Sequence, residues 1–154
     1  TSHNMVIIGA GNLGQALANY SGFAAHGFNV IAIFDTNPSL VGRKIRDIPI
    51  YHVDDMEYFI NSNNVDIAVL TVPGDATEKI VEVLANTDIR GIWNFTPKDI
   101  NIDKDIIVEN VYLVDSLLTL SYRINESWLQ ERLLKQKRKS TQFDHRKNMS
   151  FMVK

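Results

Sequence analysis

A short glycine-rich segment near the start of the chain has the spacing of a phosphate-binding loop. It follows an apolar run at residues 5–8, precedes residues at helical spacing, and reads Gly9-Ala10-Gly11-Asn12-Leu13-Gly14. In such a loop the first glycine allows a tight turn, the second lets the backbone approach a pyrophosphate, and the third lets helix and strand pack closely. The amino terminus of the helix then offers unpaired N–H groups to the phosphates. All six residues are therefore predicted to bind a dinucleotide.

An acidic residue stands where such a site needs one. Asp35 ends the second apolar run, twenty-one residues after Gly14. Its carboxylate can accept hydrogen bonds from the adenosine ribose and would repel the 2′-phosphate of NADP, so the predicted cofactor is NAD, as NADH and NAD⁺. Arg43 and Lys44 nearby keep NADP open as an alternative. A second alternative is that Asp35 only caps a turn at Asn37-Pro38, beside a loop that binds nothing.

Two turns that contain proline follow further apolar runs. They are Thr71-Val72-Pro73 and Asn94-Phe95-Thr96-Pro97. In doubly wound sheets, ligands lie beyond the carboxyl ends of the strands. The residues expected to line the nicotinamide half of the cleft are therefore Thr71, Val72, Pro73, Asn94 and Phe95. Ordinary proline turns without a ligand are the alternative interpretation.

The chain offers few groups for catalysis or for metal binding. It has no cysteine, and four histidines stand far apart in the sequence: His3, His26, His52 and His145. Neither a Ser-His-Asp pattern nor a pair of carboxylates indicates a catalytic centre. We therefore expect no metal site and no enzymatic activity.

The order of apolar segments predicts the elements that position these residues. Strands are expected at residues 5–8, 30–34, 65–72 and 91–95, with shorter ones at 106–108 and 111–114. Helices are expected from Leu13 to near Gly22 or Gly27, from about Asn37-Pro38, after Asp54, and from Asp75 or Thr77. Alternating strands and helices indicate an α/β fold, a Rossmann-type doubly wound parallel sheet over residues 1–114.

A long amphipathic helix is predicted beyond the sheet, over residues 115–139. One of its faces carries Leu117, Leu120, Ile124 and Trp128. At ~1.5 Å per residue this helix is at least roughly 35 Å long, which exceeds the width of a small domain. We therefore expect this face to pack on a second copy of the chain in a homodimer. Residues 140–154 are predicted to form a flexible basic tail.

Composition places the chain among globular proteins and excludes several classes. It has 154 residues, 45% hydrophobic and 22% charged, enough for one domain with a core. No apolar run approaches the ~20 residues that span a bilayer and no signal-peptide pattern opens the chain, so a cytoplasmic location is predicted. The net charge is −2, but residues 128–154 carry +6 and the first 127 carry −8. An acidic body is not typical of a nucleic-acid surface.

Six segments, which include the motifs above, occur together in a fixed order between Val6 and Ile124. They are VIIGAGNLGQALANYSGF, IFDTNPSLVGRKI, LTVP, GIWNFTP, VENV and LLTLSYRI. This combination resembles the Rex family of bacterial redox-sensing transcriptional repressors. The resemblance implies a homodimer that senses NADH against NAD⁺ through a Rossmann domain, exchanges its C-terminal helix between subunits, and binds operator DNA through an N-terminal winged helix. Since only about five residues precede the first strand, the chain is expected to be a sensor domain without that winged helix.

The resemblance also implies roles for single residues. The glycine-rich loop would hold the pyrophosphate, and Asp35 the adenosine ribose. Tyr122 matches an aromatic residue that the exchanged helix brings near the partner's nicotinamide, although an apolar helix face is the alternative interpretation. Tyr20 and Asp115 match a tyrosine and an aspartate that interact as the dimer switches. NADH would close the dimer and release operator DNA, because an apolar pocket disfavours the charged oxidised ring.

Three other functions are compatible with a glycine-rich fold of this size. The chain could be the cofactor-binding fragment of a nicotinamide-dependent oxidoreductase, but a catalytic acid or base is not evident. It could be a nucleotide-binding gating domain of a potassium uptake system, which should lack the NFTP and SYRI segments. A nucleotide-binding domain of the coenzyme A-ligase type is the third, and Asp35 argues against it because a carboxylate suits a free ribose diol.

Overall fold

The computed structural model describes residues 2–102 and 105–153. Within those residues the strands are β1 (His3–Ile8), β2 (Phe28–Asp35), β3 (Lys44–Ile45), β4 (Ile48–His52), β5 (Ile67–Leu70), β6 (Gly91–Asn94) and β7 (Ile107–Asn110). They form one sheet in the order β3-β4-β2-β1-β5-β6-β7. Every neighbouring pair is parallel except β3 with β4. The predicted doubly wound parallel sheet is confirmed.

The central strands are buried on both faces of the sheet, which explains their continuous apolar sequences. In β1, Val6 and Ile8 pack into a cluster on one face, while Met5 and Ile7 pack into a second cluster on the other. This alternation follows from the two-residue period of a strand. The two covered faces leave the ends of the strands as the places where a ligand can reach the sheet.

Four α-helices connect the strands in the described residues up to β7. They are α1 (Asn12–Asn19), α2 (Gly22–Ala25), α3 (Met56–Ser62) and α4 (Thr77–Leu84). The first ends earlier than predicted because Tyr20 adopts an extended backbone, with ψ of 112°, and its ring lies against Gly22. A 3-10 turn at Val53–Asp55 precedes α3, and α4 begins at Thr77 as predicted.

The prediction of a helix from Asn37-Pro38 is wrong. Asn37 starts a tight turn, in which its side-chain oxygen accepts the N–H of Ser39 and its carbonyl accepts the N–H of Leu40. Asparagine side chains favour such turns over helices because they bond to nearby backbone. The chain then forms β3 and β4, which the sequence analysis did not predict as strands.

The strand predicted at residues 111–114 is also wrong. The N–H of Val111 donates to Asn94 O, and the chain then enters α5 (Leu113–Val153), a single helix of 41 residues. Helix α5 begins two residues before the predicted helix and continues past its predicted end at residue 139. Residues 130–139 are rich in Gln, Leu, Lys and Arg, which propagate helices well. At ~1.5 Å per residue α5 is about 60 Å long.

The chain divides into two compact units, Thr1–Tyr112 and Leu113–Lys154. The second unit is α5 itself. Four apolar side chains on one face of this helix, Leu117, Leu120, Ile124 and Trp128, are here called the apolar stripe, and each is more than half exposed. Within the described residues, no helix is both long enough and apolar enough to cross a membrane.

Candidate functional site

The glycine-rich loop joins the end of β1 to the start of α1. At two of its glycines a larger residue would fit only if neighbouring atoms moved. Gly9 has a positive φ of 110°, and a Cβ there would lie 2.8 Å from Thr71 Oγ1. A Cβ on Gly14 would overlap the carbonyl oxygen of Gly9 and lie 3.0 Å from the same hydroxyl. The loop therefore sits tightly between β1, α1 and the end of β5, as the spacing of the motif predicts.

The middle glycine has a different environment. Gly11 is exposed, its φ is an ordinary −75°, and a Cβ built on it would meet nothing within 4 Å. Gly11 is also the N-cap of α1, and among the described residues no side chain caps that end and no acidic residue lies in the first turn of the helix. The first N–H groups of a helix carry partial positive charge and lack partners inside the helix. This end of α1 is thus open to an anionic group.

Asp35 ends β2 beside the loop and is bonded to it. Its Oδ2 accepts the backbone N–H of Ala10 at 2.7 Å, and its Oδ1 accepts the N–H of Asn37 at 2.8 Å. The carboxylate therefore caps the turn after β2, which was one alternative, and also anchors the loop, which the sequence analysis did not foresee. Each oxygen keeps a further lone pair, so the same group can still accept hydroxyl donors.

Thr71 holds the loop from the other side. Its N–H donates to Ile8 O at 2.9 Å, and its hydroxyl lies 2.9 Å from Gly9 O and 3.1 Å from Ile8 O. A hydroxyl has one hydrogen, so these two carbonyl oxygens share it. Thr71 thus uses its donors on β1 and the loop. The sequence suggested a ligand contact here, and the anchoring role had no signal in the sequence.

A cleft of about 910 Å³ opens at this edge of the sheet. Six of the predicted residues line it: Gly9, Gly11, Asp35, Thr71, Val72 and Pro73. Apolar side chains that were not predicted for the site also line it, among them Val53, Met56, Ile80 and Val83. This volume lies in the range of small-molecule and cofactor sites.

His52 and Asp54 lie at the side of the cleft and were also missed. His52 ends β4, and its Nδ1 accepts the N–H of Asp54 at 3.1 Å. The strand that carries His52 was not predicted, because Pro49 interrupts its apolar pattern and proline is usually confined to strand edges and ends. Its parallel pairing with β2 is what brings His52 opposite Asp35.

The residues predicted at the end of β6 lie outside that cleft lining. Asn94 is 1% exposed, and its side chain bonds to Thr96, Lys98 and Asn110. Phe95 is half-buried, and its ring packs edge-on against Trp93 with centroids 4.7 Å apart. The described contacts of both side chains are therefore internal.

Three further residues were predicted from the family resemblance to contact the cofactor or to act in the switch. Tyr20, at the end of α1, is 58% exposed, and its ring stacks edge-on against Phe23 at 4.7 Å. Asp115 and Tyr122 are exposed on α5. They are seven residues apart, so they share one face of that helix. Among the described residues no group of three His, Cys, Asp or Glu could hold a metal ion.

The chain matches one protein-family model and many curated proteins. Residues 1–98 match the CoA binding domain. The redox-sensing transcriptional repressor Rex of Caldicellulosiruptor bescii is 50% identical over 131 residues, which is 85% of this chain and 60% of that protein. The Rex repressor of Clostridium botulinum is 52% identical over 125 residues, 81% of this chain and 60% of that protein. The chain thus spans about three fifths of the length of these relatives.

Solved structures agree with the sequence relatives. RSP, a Rex-family repressor, is 48% identical and superposes with a TM-score of 0.80 over 86% of this chain and 64% of RSP. RSP in complex with β-NAD⁺ and operator DNA, and RSP in complex with β-NADH, each give a TM-score of 0.79 over 86% of this chain. These matches cover 61% and 64% of the RSP chains respectively.

Proposed function

The chain belongs to the CoA-binding domain family and to the Rex redox-sensing repressors, and on that premise we propose that it is the NADH- and NAD⁺-sensing domain of a bacterial transcriptional repressor. RSP, its relative, has been crystallised with β-NAD⁺ and with β-NADH. The observation that carries the proposal is the hydrogen bond from Ala10 N to Asp35, because it fixes an acid beside the uncapped start of α1. The glycine-rich loop and Asp35 therefore line the same cleft.

Different residues around the cleft would bind different parts of a dinucleotide. Gly11 and the first N–H groups of α1 would receive the pyrophosphate, since they offer open space and partial positive charge. Asp35 would accept the ribose hydroxyls through its remaining lone pairs. Val53, Ile80 and Val83 supply an apolar wall suited to an adenine ring.

Discrimination between the two redox forms would rest on charge. The oxidised nicotinamide ring carries a positive charge and the reduced ring is neutral, and an apolar pocket disfavours the charged form. The turns after β5 and β6, together with Tyr122 from a second copy, would form that pocket. A preference of about 100-fold for NADH corresponds to about 2.7 kcal/mol. A ligand shifts the equilibrium between two conformations of a protein only by the difference between its affinities for those conformations. NADH would therefore have to bind the closed dimer more tightly than the open one.

A homodimer is the second part of the proposal. The apolar stripe of α5 is exposed along four side chains. The sheet also leaves an open apolar groove of about 410 Å³, lined by Met5, Phe23, Phe28, Ile67, Trp93 and Ile107 among others. Isolated apolar side chains on a surface are normal, but contiguous ones usually mark an interface. Two copies of the chain would bury both surfaces.

The full repressor would bind operator DNA, as RSP does. We propose that the DNA contact belongs to an N-terminal winged helix, that NADH closes the dimer, and that closure releases the operator. We also propose that the chain catalyses no reaction, since the relatives that it matches are transcriptional repressors. As a regulator of transcription it would act in the cytoplasm.

Isothermal titration of the 154-residue chain with NADH, NAD⁺ and CoA tests the proposal. We expect NADH to bind most tightly and NAD⁺ about 100-fold more weakly. The matched pair of variants is Gly11→Ala and Asn19→Ala, at opposite ends of α1. Gly11→Ala should fold normally, because its Cβ has free space, but should lose NADH binding, because the methyl group occupies the phosphate position. Asn19→Ala should bind like the wild type.

The alternatives predict other results. Equal affinities for NADH and NAD⁺ would remove the sensing mechanism. Binding of CoA in place of NADH would favour a nucleotide domain of the coenzyme A type. Steady consumption of NADH, followed by its absorbance, would identify an oxidoreductase.

A further inference from the structure

Asn94 occupies the end of β6 with all of its side-chain hydrogen bonds made inside the protein. Its Nδ2 donates to Lys98 O and to Asn110 Oδ1, both at 2.9 Å. Its Oδ1 accepts the N–H of Thr96 at 2.9 Å and the hydroxyl of Thr96 at 2.7 Å. An asparagine side chain has two donor hydrogens and two acceptor lone pairs, so this one is saturated. Any bond to a ligand would require breaking one of these.

The bonds join two segments that are distant in sequence. On one side they fix the turn from Thr96 to Lys98, which follows β6 where Asn94 pairs with Leu70, next to the Thr71-Val72-Pro73 turn that lines the cleft. On the other side they reach Asn110, the last residue of β7, and the N–H of Val111 donates back to Asn94 O at 2.8 Å. Helix α5 begins at Leu113, three residues after Asn110. The turn and the chain leading into α5 are therefore tied to one buried side chain.

We infer that the Asn94–Asn110 hydrogen bond couples ligand binding in the cleft to the pairing of two copies of the chain through α5. This inference rests on the proposed function and names the regulation of that site. A buried amide that loses one partner keeps an unsatisfied polar group, which is strongly unfavourable. A displacement of the turn must therefore move the end of β7 with it. Asn94 acts as a positioning residue and not as a cofactor ligand.

Substitution of Asn110 separates coupling from binding. Asn110→Ala removes the acceptor for Asn94 Nδ2 but leaves the three bonds to Thr96 and Lys98. Asn110→Leu removes the acceptor and keeps the size of the side chain. Asn110→Asp keeps an oxygen at the same position and should restore the wild-type behaviour. Asn86→Ala is the matched control, because Asn86 is exposed and bonds only within its own turn, to Glu82 O.

The readout is the dimer dissociation constant from sedimentation equilibrium, measured with and without NADH. We expect NADH to change it by about tenfold or more in the wild type, Asn110→Asp and Asn86→Ala, and by less than about twofold in Asn110→Ala and Asn110→Leu. Linkage requires the reciprocal result, so the NADH affinity should depend on protein concentration only in the first group. A residue that merely stabilised the fold would change the melting temperature and leave this ratio unchanged.

The outcomes distinguish the inference from the function on which it rests. Absence of NADH binding by the wild type would overturn the proposed function. If the wild type binds NADH but its dimer constant does not respond, or if Asn110→Ala and Asn110→Leu respond like the wild type, the coupling role is wrong. Loss of the response in both, with recovery in Asn110→Asp, would establish it.

Discussion

Replacing Asp35 by asparagine should destabilise the protein even when no cofactor is present. The carboxylate accepts the N–H of Ala10 on one oxygen and the N–H of Asn37 on the other. An asparagine side chain has one carbonyl oxygen, so one N–H group would face an NH₂ group in place of an acceptor. The substitution keeps the size of the side chain, which confines the change to charge and hydrogen bonding.

The size of the effect follows from the two bonds. A hydrogen bond to a charged group contributes about 1.5–3 kcal/mol, and Asp35 is only half-buried, so we expect a loss of about 2 kcal/mol in the free energy of unfolding. Ala10 is fully buried, which leaves its N–H without access to water as a substitute partner. With a slope of ~2 kcal/mol per molar urea, the unfolding midpoint should fall by about 1 M.

Urea unfolding of the ligand-free chain, followed by circular dichroism, measures the change in the unfolding midpoint caused by Asp35→Asn. Asp88→Asn is the matched control, since it removes the same charge from an exposed position. We expect the control to unfold within about 0.3 M of the wild type, because surface substitutions have small effects. If Asp35→Asn is as stable as the control, the carboxylate does not anchor the loop, and its role is confined to the ligand.

Three further outcomes follow from the same contacts. Gly14→Ala should lower the free energy of unfolding by about 3 kcal/mol, because its Cβ overlaps the carbonyl oxygen of Gly9; wild-type stability in urea would contradict the packing of the loop. Leu120→Glu should weaken the dimer at least about tenfold in sedimentation, since it places a charge in the apolar stripe, whereas Gln130→Glu on another side of α5 should not. NADPH should bind at least about tenfold more weakly than NADH in calorimetry because Asp35 repels its 2′-phosphate, and equal affinities would remove that role.

The strands and the loop could be predicted because they depend on local sequence. The apolar, β-branched run of β1 favours a buried strand. Gly9 and Gly14 lie where close packing leaves no room for a side chain. Asp35 was found because its position at a strand end is fixed relative to the motif. Its bond to Ala10 could not be foreseen, since that depends on how β1 and β2 pair.

The remaining features depend on contacts between distant segments. Pro49 hides β4 in the sequence, although its pairing with β2 is what makes it a strand. Asn94 resembles a ligand residue in sequence because it ends a parallel strand, and only the position of Asn110 reveals that its amide is already paired. For α5, the predicted helix was too short because its bounds were taken from the spacing of apolar residues. The basic residues 140–154 do not show that spacing and were therefore predicted to be a tail.

In the proposed function, the preference for NADH over NAD⁺ must come from contacts to the nicotinamide, because the two redox forms share the same adenosine diphosphate half. Contacts from Gly11 and Asp35 would contribute equally to the affinities for NADH and NAD⁺, and so would not distinguish the two redox forms. At the other end, Asn94 uses its hydrogen bonds internally and Phe95 packs within the fold. The turn Thr71-Val72-Pro73 does line the cleft, so in the proposed dimer this turn of one copy and the exposed Tyr122 of a second copy would together supply the discrimination. On this account a monomer, which lacks Tyr122 of a second copy, would prefer NADH over NAD⁺ less strongly than the dimer.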